Sequence, residues 1–306
     1  MIVVGCGRSH ADRTVTAIPQ LASQEVYLSE RAGLEEAAAP LSVKIDWNGP
    51  SDSDPQRQVD LLTAATNSNR YGIVINPIGT NASTSSIQRA LSRGIPVVVA
   101  RDSVNLAPQA HLSFLLEDYA AGASLVTDRL NEVTGGRGQV MILGLDPNAT
   151  SSRSRFDSVE HALQRDCPQI KVADRVISPF SSGFAQIAAE QALQRHPDLV
   201  AFIALNNRAG LGAAMAVKVK GASSRIRVIV FDQSLPLLLR LRRGEVDSVI
   251  VQNMRAIGRA AMQNIDADRS GQRYEHAVTF KPQLVTLKNI DLENTQETLT
   301  VNWEPR

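Results

Sequence analysis

Two cysteines in 306 residues, Cys6 and Cys167, are too few for a disulfide framework or a metal cage. Lys and Arg (32) nearly cancel Asp and Glu (31), and no block of like charge occurs. A net charge of +1 without a basic face argues against nucleic acid or an acidic surface as partner. No stretch approaches the roughly 18 apolar residues that a membrane-spanning helix needs. The motifs G-x-S-x-G, G-x-x-x-x-G-K-[ST], H-E-x-x-H and G-x-G-x-x-G are absent, and the five histidines are scattered over helices and loops. The sequence therefore points to no enzyme, no cofactor and no metal. Aromatic residues, at 4%, offer few ring faces for stacking.

What is present is organised around residues 228–258. The run VIVF (228–231) has the β-branched and aromatic character of a strand buried on both faces, and it stops at Asp232. Leu235, Leu238, Leu239 and Leu241 then recur at helical spacing, with Arg240, Arg242 and Arg243 in the last turn and Gly244 as the stop. A second apolar run, 246–251, ends at Gln252. This βαβ unit carries polar groups at the carboxyl ends of its strands, where open α/β sheets bind ligands, so Asp232 and Gln252 are the first site candidates.

The same grammar fills the chain. Strands are expected at 14–19, 41–47, 71–77, 95–100 and 112–116, alternating with helices at 24–39, 56–69 and 83–93. The second half repeats it, with helices at 119–133, 152–164, 184–194 and 209–219 between strands at 140–143, 172–177 and 200–204. Strands alternating with helices of about a dozen residues mean parallel, doubly wound sheets, and this length accommodates two such α/β lobes, each with its own core.

Phe231-Asp232, a helix, Gly244-Glu245-Val246, a strand and Gln252 together resemble the type I periplasmic sugar-binding proteins. This ribose-binding-like family shares its fold with the effector domain of lactose-repressor-type regulators. Trp47-Asn48-Gly49-Pro50 followed by a Gln-containing helix belongs to the same pattern, and the resemblance covers nearly all of 14–290. It implies a periplasmic binding protein-like I fold, two doubly wound lobes joined by a three-crossing hinge. Lobe one would comprise 14–116 plus 253–281, and lobe two 117–252 plus 282–306, with 1–13 outside both. The implied function is capture of a sugar or sugar-like polyol in the cleft between lobes and its delivery to the permease of an ABC transporter. The implied protein is a monomer of the periplasm. The alternative is a ligand-sensing domain of a lactose-repressor-type regulator or a receptor-coupled sugar sensor; the regulator would need an N-terminal helix-turn-helix, and only 1–13 precede the first strand.

The family's cleft positions carry over residue by residue. Gln24, Val26 and Tyr27 stand where relatives often have Asn and a pair of aromatics, and Asn76 matches a strand-end Asn. Arg101-Asp102 occupies the place where relatives put Asp first, so the order is reversed. In lobe two, Arg155 of Arg153-Ser154-Arg155 matches an Arg that clamps the ligand. Phe180 falls near a family aromatic, and Asn206 matches the first residue of an Asn-Asp pair whose second is Asn207 here. Asp232 and Gln252 match directly.

Chemistry supports these residue types. A sugar in a dry cleft must have each hydroxyl met by Asn, Asp, Arg or Gln, or lose roughly 1–3 kcal/mol per buried orphan. Tyr27 and Phe180 would cover the ring's apolar faces, and Arg101 would draw acidic or oxidised sugars. Plainer roles compete: Asn206, Asp232 and Ser152 each precede a helix and could be N-caps, worth about 1 kcal/mol each. Arg155 could be a surface ion pair, Gln252 a hinge residue bonding backbone, and Trp47 strand-end packing.

At the start, Val3-Val4-Gly5-Cys6 followed by the polar run 7–13 resembles the end of a lipoprotein signal peptide without its charged and most of its apolar region. The expectation is a lipid on Cys6, with 7–13 as tether, holding the protein at the outer face of the cytoplasmic membrane.

Overall fold

The computed structural model describes residues 13–299 apart from Asn148, Pro179 and Phe180. Cys6 and Phe180 therefore lie outside the described residues. The chain runs β1 (Thr14–Ile18), α1 (Glu25–Ala38), β2 (Lys44–Trp47), α2 (Pro55–Asn67), β3 (Gly72–Ile75), α3 (Thr84–Ser92), β4 (Val97–Arg101) and β5 (Leu112–Glu117). It continues through α4 (Tyr119–Thr134), β6 (Arg137–Leu145), α5 (Thr150–Asp166), β7 (Gln169–Ile177), α6 (Ser182–Arg195), β8 (Leu199–Ala204) and α7 (Asn207–Val219). It closes with β9 (Arg227–Phe231), α8 (Leu235–Arg242), β10 (Ser248–Val251), α9 (Met254–Arg269), β11 (Ala277–Phe280), β12 (Gln283–Thr286) and α10 (Glu293–Leu299).

Two six-stranded sheets result, ordered β2-β1-β3-β4-β5-β11 and β7-β6-β8-β9-β10-β12. Every pairing is parallel except β10 with β12. The central strands are apolar on both faces because helices cover both, and each sheet accordingly sits between two apolar layers. The two orders superimpose strand for strand, so β3, β4 and β5 correspond to β8, β9 and β10. β11 was not expected from sequence. Its alternating exposed and half-buried side chains lie at the sheet edge, where a parallel strand has none of the continuous apolar character of the interior.

Polar residues set the helix starts. Asp54 accepts from the backbone N–H of Gln56 and Arg57, with Pro55 at the first helical position. Asp118, Asn206 and Asn253 cap α4, α7 and α9 in the same way. The chain leaves the first sheet after Glu117, returns after Gln252 through α9, and passes back between β11 and β12.

The return is locked by glycine. A Cβ on Gly258 of α9 would stand 2.1 Å from the Glu30 carbonyl oxygen of α1, and one on Gly33 of α1 2.0 Å from the Arg255 carbonyl oxygen of α9. Backbone cannot swing aside as a side-chain tip does. Gly258→Ala should therefore push α1 and α9 apart at a cost of roughly 1–3 kcal/mol. A thermal melt should show this as a drop of several degrees, and an unchanged midpoint would mean that the helices separate freely.

Candidate functional site

The carboxyl ends of β4 and β5 in one lobe face those of β8 and β9 in the other, and the starts of α1 and α5 close the sides. Between them lies a cavity of about 130 Å³ lined from both lobes, by Gln20, Gln24, Tyr27 and Arg101 on one side and Arg155, Asn206 and Asp232 on the other among others.

Arg101 ends β4, Asp232 directly follows the corresponding strand β9, and the two meet across the cleft, Arg101 Nη2 donating to Asp232 Oδ2 at 2.9 Å. Both backbones are left-handed, with φ of 72° and 64°. Neither is glycine, and such strain persists only where the surroundings over-determine it, commonly at ligand sites. Arg155, from the second turn of α5, donates Nη1 to Asp232 Oδ2 (2.7 Å) and Nη2 to Asp232 Oδ1 (2.9 Å). Its Nε and Nη2 also reach Glu117, at 3.1 and 2.8 Å, while Arg101 Nε reaches the same carboxylate at 3.1 Å. The Arg101 and Arg155 side chains are only 5% and 3% exposed, those of Glu117 and Asp232 1% and 9%.

Burial would raise the Asp232 carboxyl, but Arg155 and Arg101 outweigh it and hold the group well below the usual carboxylate range. Burial likewise opposes the charge on both arginines, and the facing carboxylates more than restore it. Asp102 differs: burial lifts it to about 6, against the opposing pull of Arg101 and the bond that the Tyr119 hydroxyl donates across the lobes. Glu30, further inside lobe one, is lifted by burial to about 7.

The expected site residues divide. Gln24, Tyr27, Arg101, Arg155, Asn206 and Asp232 line the cavity. Asp102 stands behind it, accepting from Tyr119 and from Gln20 Nε2 at 3.3 Å. Asn76 does not line the cavity: its amide donates to Glu30 Oε2 and the Ala100 carbonyl, because the strand end turns it inward toward α1. Gln252 is buried with neither side-chain polar atom bonded, so it bonds no backbone as a hinge anchor would.

The plainer alternatives divide too. Asn206 is both: Oδ1 caps α7 through Ala209 N–H, Nδ2 donates to the Gly144 carbonyl, and the residue still faces the cavity. Asp232 is no N-cap, since Ser234 holds that position for α8. Ser152 lies inside the first turn of α5, accepting from Asp146 N–H, so it is no cap either. Arg155 is buried rather than a surface pair. Trp47 is half-buried against the lobe-one core, its indole N–H on the Ala22 carbonyl. Tyr27 does not present a free stacking face as expected. Its ring carries the Arg101 guanidinium at 5.5 Å and its hydroxyl donates to Gln20 Oε1.

Sequence reasoning missed Gln20, Glu117 and Tyr119. Glu117 ends β5, and Gln20 and Tyr119 each lie two residues past a strand end, which is the one signal that could have found them.

Two doubly wound lobes of matching topology, with polar and charged groups from both converging at their carboxyl ends, define a two-lobed binding protein of the type I architecture. The chain belongs to the family described as periplasmic binding protein domain, whose model matches residues 16–272. That is a family of binding proteins, not of enzymes. The D-allose-binding periplasmic protein of Escherichia coli (strain K12) is 25% identical over 261 residues, covering 82% of this chain and 83% of the relative. The ribose import binding protein RbsB of Bacillus subtilis (strain 168) is 23% identical over 266 residues, 86% of this chain and 83% of the relative. Among solved structures, a carbohydrate transporter solute-binding protein from Agrobacterium radiobacter in complex with D-arabinose superimposes with a TM-score of 0.86 at 22% identity, covering 95% of this chain and 100% of that one.

Proposed function

We propose that this protein captures a monosaccharide or similar polyol in the inter-lobe cleft, outside the cytoplasmic membrane, and hands it to the permease of an ABC transporter. The observation that carries this is the cavity itself. Buried donors and acceptors from both lobes converge on it, as hydroxyl recognition in a dry site requires. The relatives named for allose and ribose binding, and the neighbour solved with D-arabinose, support the ligand class. At about 130 Å³ the cavity is well below the 300–1,000 Å³ usual for drug-sized ligands, which favours a single ring over an oligosaccharide.

In this reading 14–116 with 253–281 and 117–252 with 282–306 move as rigid bodies. Closure draws its free energy from contacts made only when both lobes touch the ligand. The protein acts as a monomer, with the lipobox-like Val3-Val4-Gly5-Cys6 supplying a lipid anchor. The test is a thermal-shift screen over aldoses, ketoses and polyols. A cognate ligand at 100 times its dissociation constant should add about 2.7 kcal/mol of stability. A panel with no shift anywhere would overturn the sugar reading.

A further inference from the structure

Glu117 is the last residue of β5, immediately before the chain first crosses from one lobe to the other. Its buried carboxylate grips one arginine from each lobe: Arg101 of β4, through Nε at 3.1 Å, and Arg155 of α5, through Nε at 3.1 Å and Nη2 at 2.8 and 3.1 Å. Asp232 takes the remaining approaches of the same two guanidinium groups. Arg101 spends its last nitrogen on the Tyr27 hydroxyl, and Arg155 Nη1 also donates to the Leu205 carbonyl.

Two cations therefore face two anions, and every guanidinium nitrogen is already bonded. No other cation lines the cavity among the described residues, whereas Asp146 adds a further acid to its wall. An anionic ligand entering here would gain no net attraction and would meet Asp232 at short range, where like charges in a low-dielectric site repel strongly. Neutral hydroxyls meet no such barrier. The charge of Arg101 is thus balanced by Glu117 and Asp232, which argues against the expectation that it draws acidic sugars.

We infer that Glu117 is a positioning and specificity-determining residue: from the hinge it fixes the directions of Arg101 and Arg155 and cancels their excess charge, so that the cleft selects neutral sugars against their uronic or aldonic acids. This rests on the sugar-cleft reading above. Of the four charges in this network Glu117 is the one that does not line the cavity, and its influence passes through the arginines.

The test is calorimetric titration of the wild-type protein, Glu117→Gln and the double variant Glu117→Gln/Arg101→Gln, each with the neutral aldose that binds best and with the corresponding uronic acid. The wild type should favour the neutral member at least 100-fold. Glu117→Gln should narrow that preference at least tenfold, by tightening the uronic acid in absolute terms, which a loosened structure would not do. The double variant, with one charge of each sign removed, should restore preference for the neutral member. A wild type that binds both members equally overturns the inference even where the variants do not fold. So does a Glu117→Gln that weakens both members in proportion. A wild type that binds neither member of any pair overturns the cleft reading, and this inference falls with it.

Discussion

Arg155→Met should lower the stability of the ligand-free protein by about 3–5 kcal/mol, the cost of removing one partner from a buried ion pair and leaving the others uncompensated. Methionine fills much of the arginine stem's volume, so cavity formation contributes little. What is lost is charge and hydrogen bonding. Arg155 serves Glu117 through two nitrogens, Asp232 through two, and the Leu205 carbonyl through one. Arg101 alone then has to balance two carboxylates that are almost fully buried. Thermal melts should place the variant on the order of 10 °C below wild type for a lobe of this size. Arg155→Lys should fall between the two, because a point charge cannot bridge two carboxylates as a planar fork does. A methionine variant melting within about 1 °C of wild type would show that the buried carboxylates do without Arg155 at little cost.

The doubly wound architecture was legible because parallel strands covered on both faces must be continuous apolar runs. GIVI at 72–75 and VVVA at 97–100 admit few other readings when helices of regular amphipathic spacing separate them. β11 was not legible for the complementary reason: half its side chains face solvent at the sheet edge, and AVTF carries no stronger signal than a loop. In the site, Asp232 and Arg155 could be placed because residue type and strand-end position agreed with the family pattern. Glu117 could not, since an acid before a helix cap reads as solvated surface until the fold brings β4 and α5 beside it. Asn76 shows the limit of the strand-end rule, which gives position and not direction: the side chain turns back to Glu30. The left-handed backbones of Arg101 and Asp232 were equally invisible, as sequence marks that conformation reliably only with glycine or asparagine.

Asp232→Asn should weaken sugar binding by roughly 2–4 kcal/mol, about 30- to 700-fold, and it is a clean substitution for a backbone reason. Asn tolerates a φ of 64° as readily as Asp, so the strained corner after β9 is retained and only charge and one acceptor change. In the wild type both carboxylate oxygens accept from guanidinium nitrogens, and Oδ2 takes one from each lobe. An amide can present one acceptor there and must turn its NH₂ toward a cation or into the cavity. A sugar hydroxyl that donated to the carboxylate then meets a donor in a site with little water to relieve it. Reading Asp232 as a helix cap would have left stability untouched by this change. The structure instead makes it the counter-ion of Arg155 and Arg101, so the ligand-free variant should also lose stability, though less than Arg155→Met because Glu117 still holds both arginines. Calorimetry with the best neutral sugar, beside a melt without ligand, separates the two contributions. A lowered melting temperature with unchanged affinity would make Asp232 a structural counter-ion alone and move recognition to the groups around it, Gln24, Asn206 and Arg155.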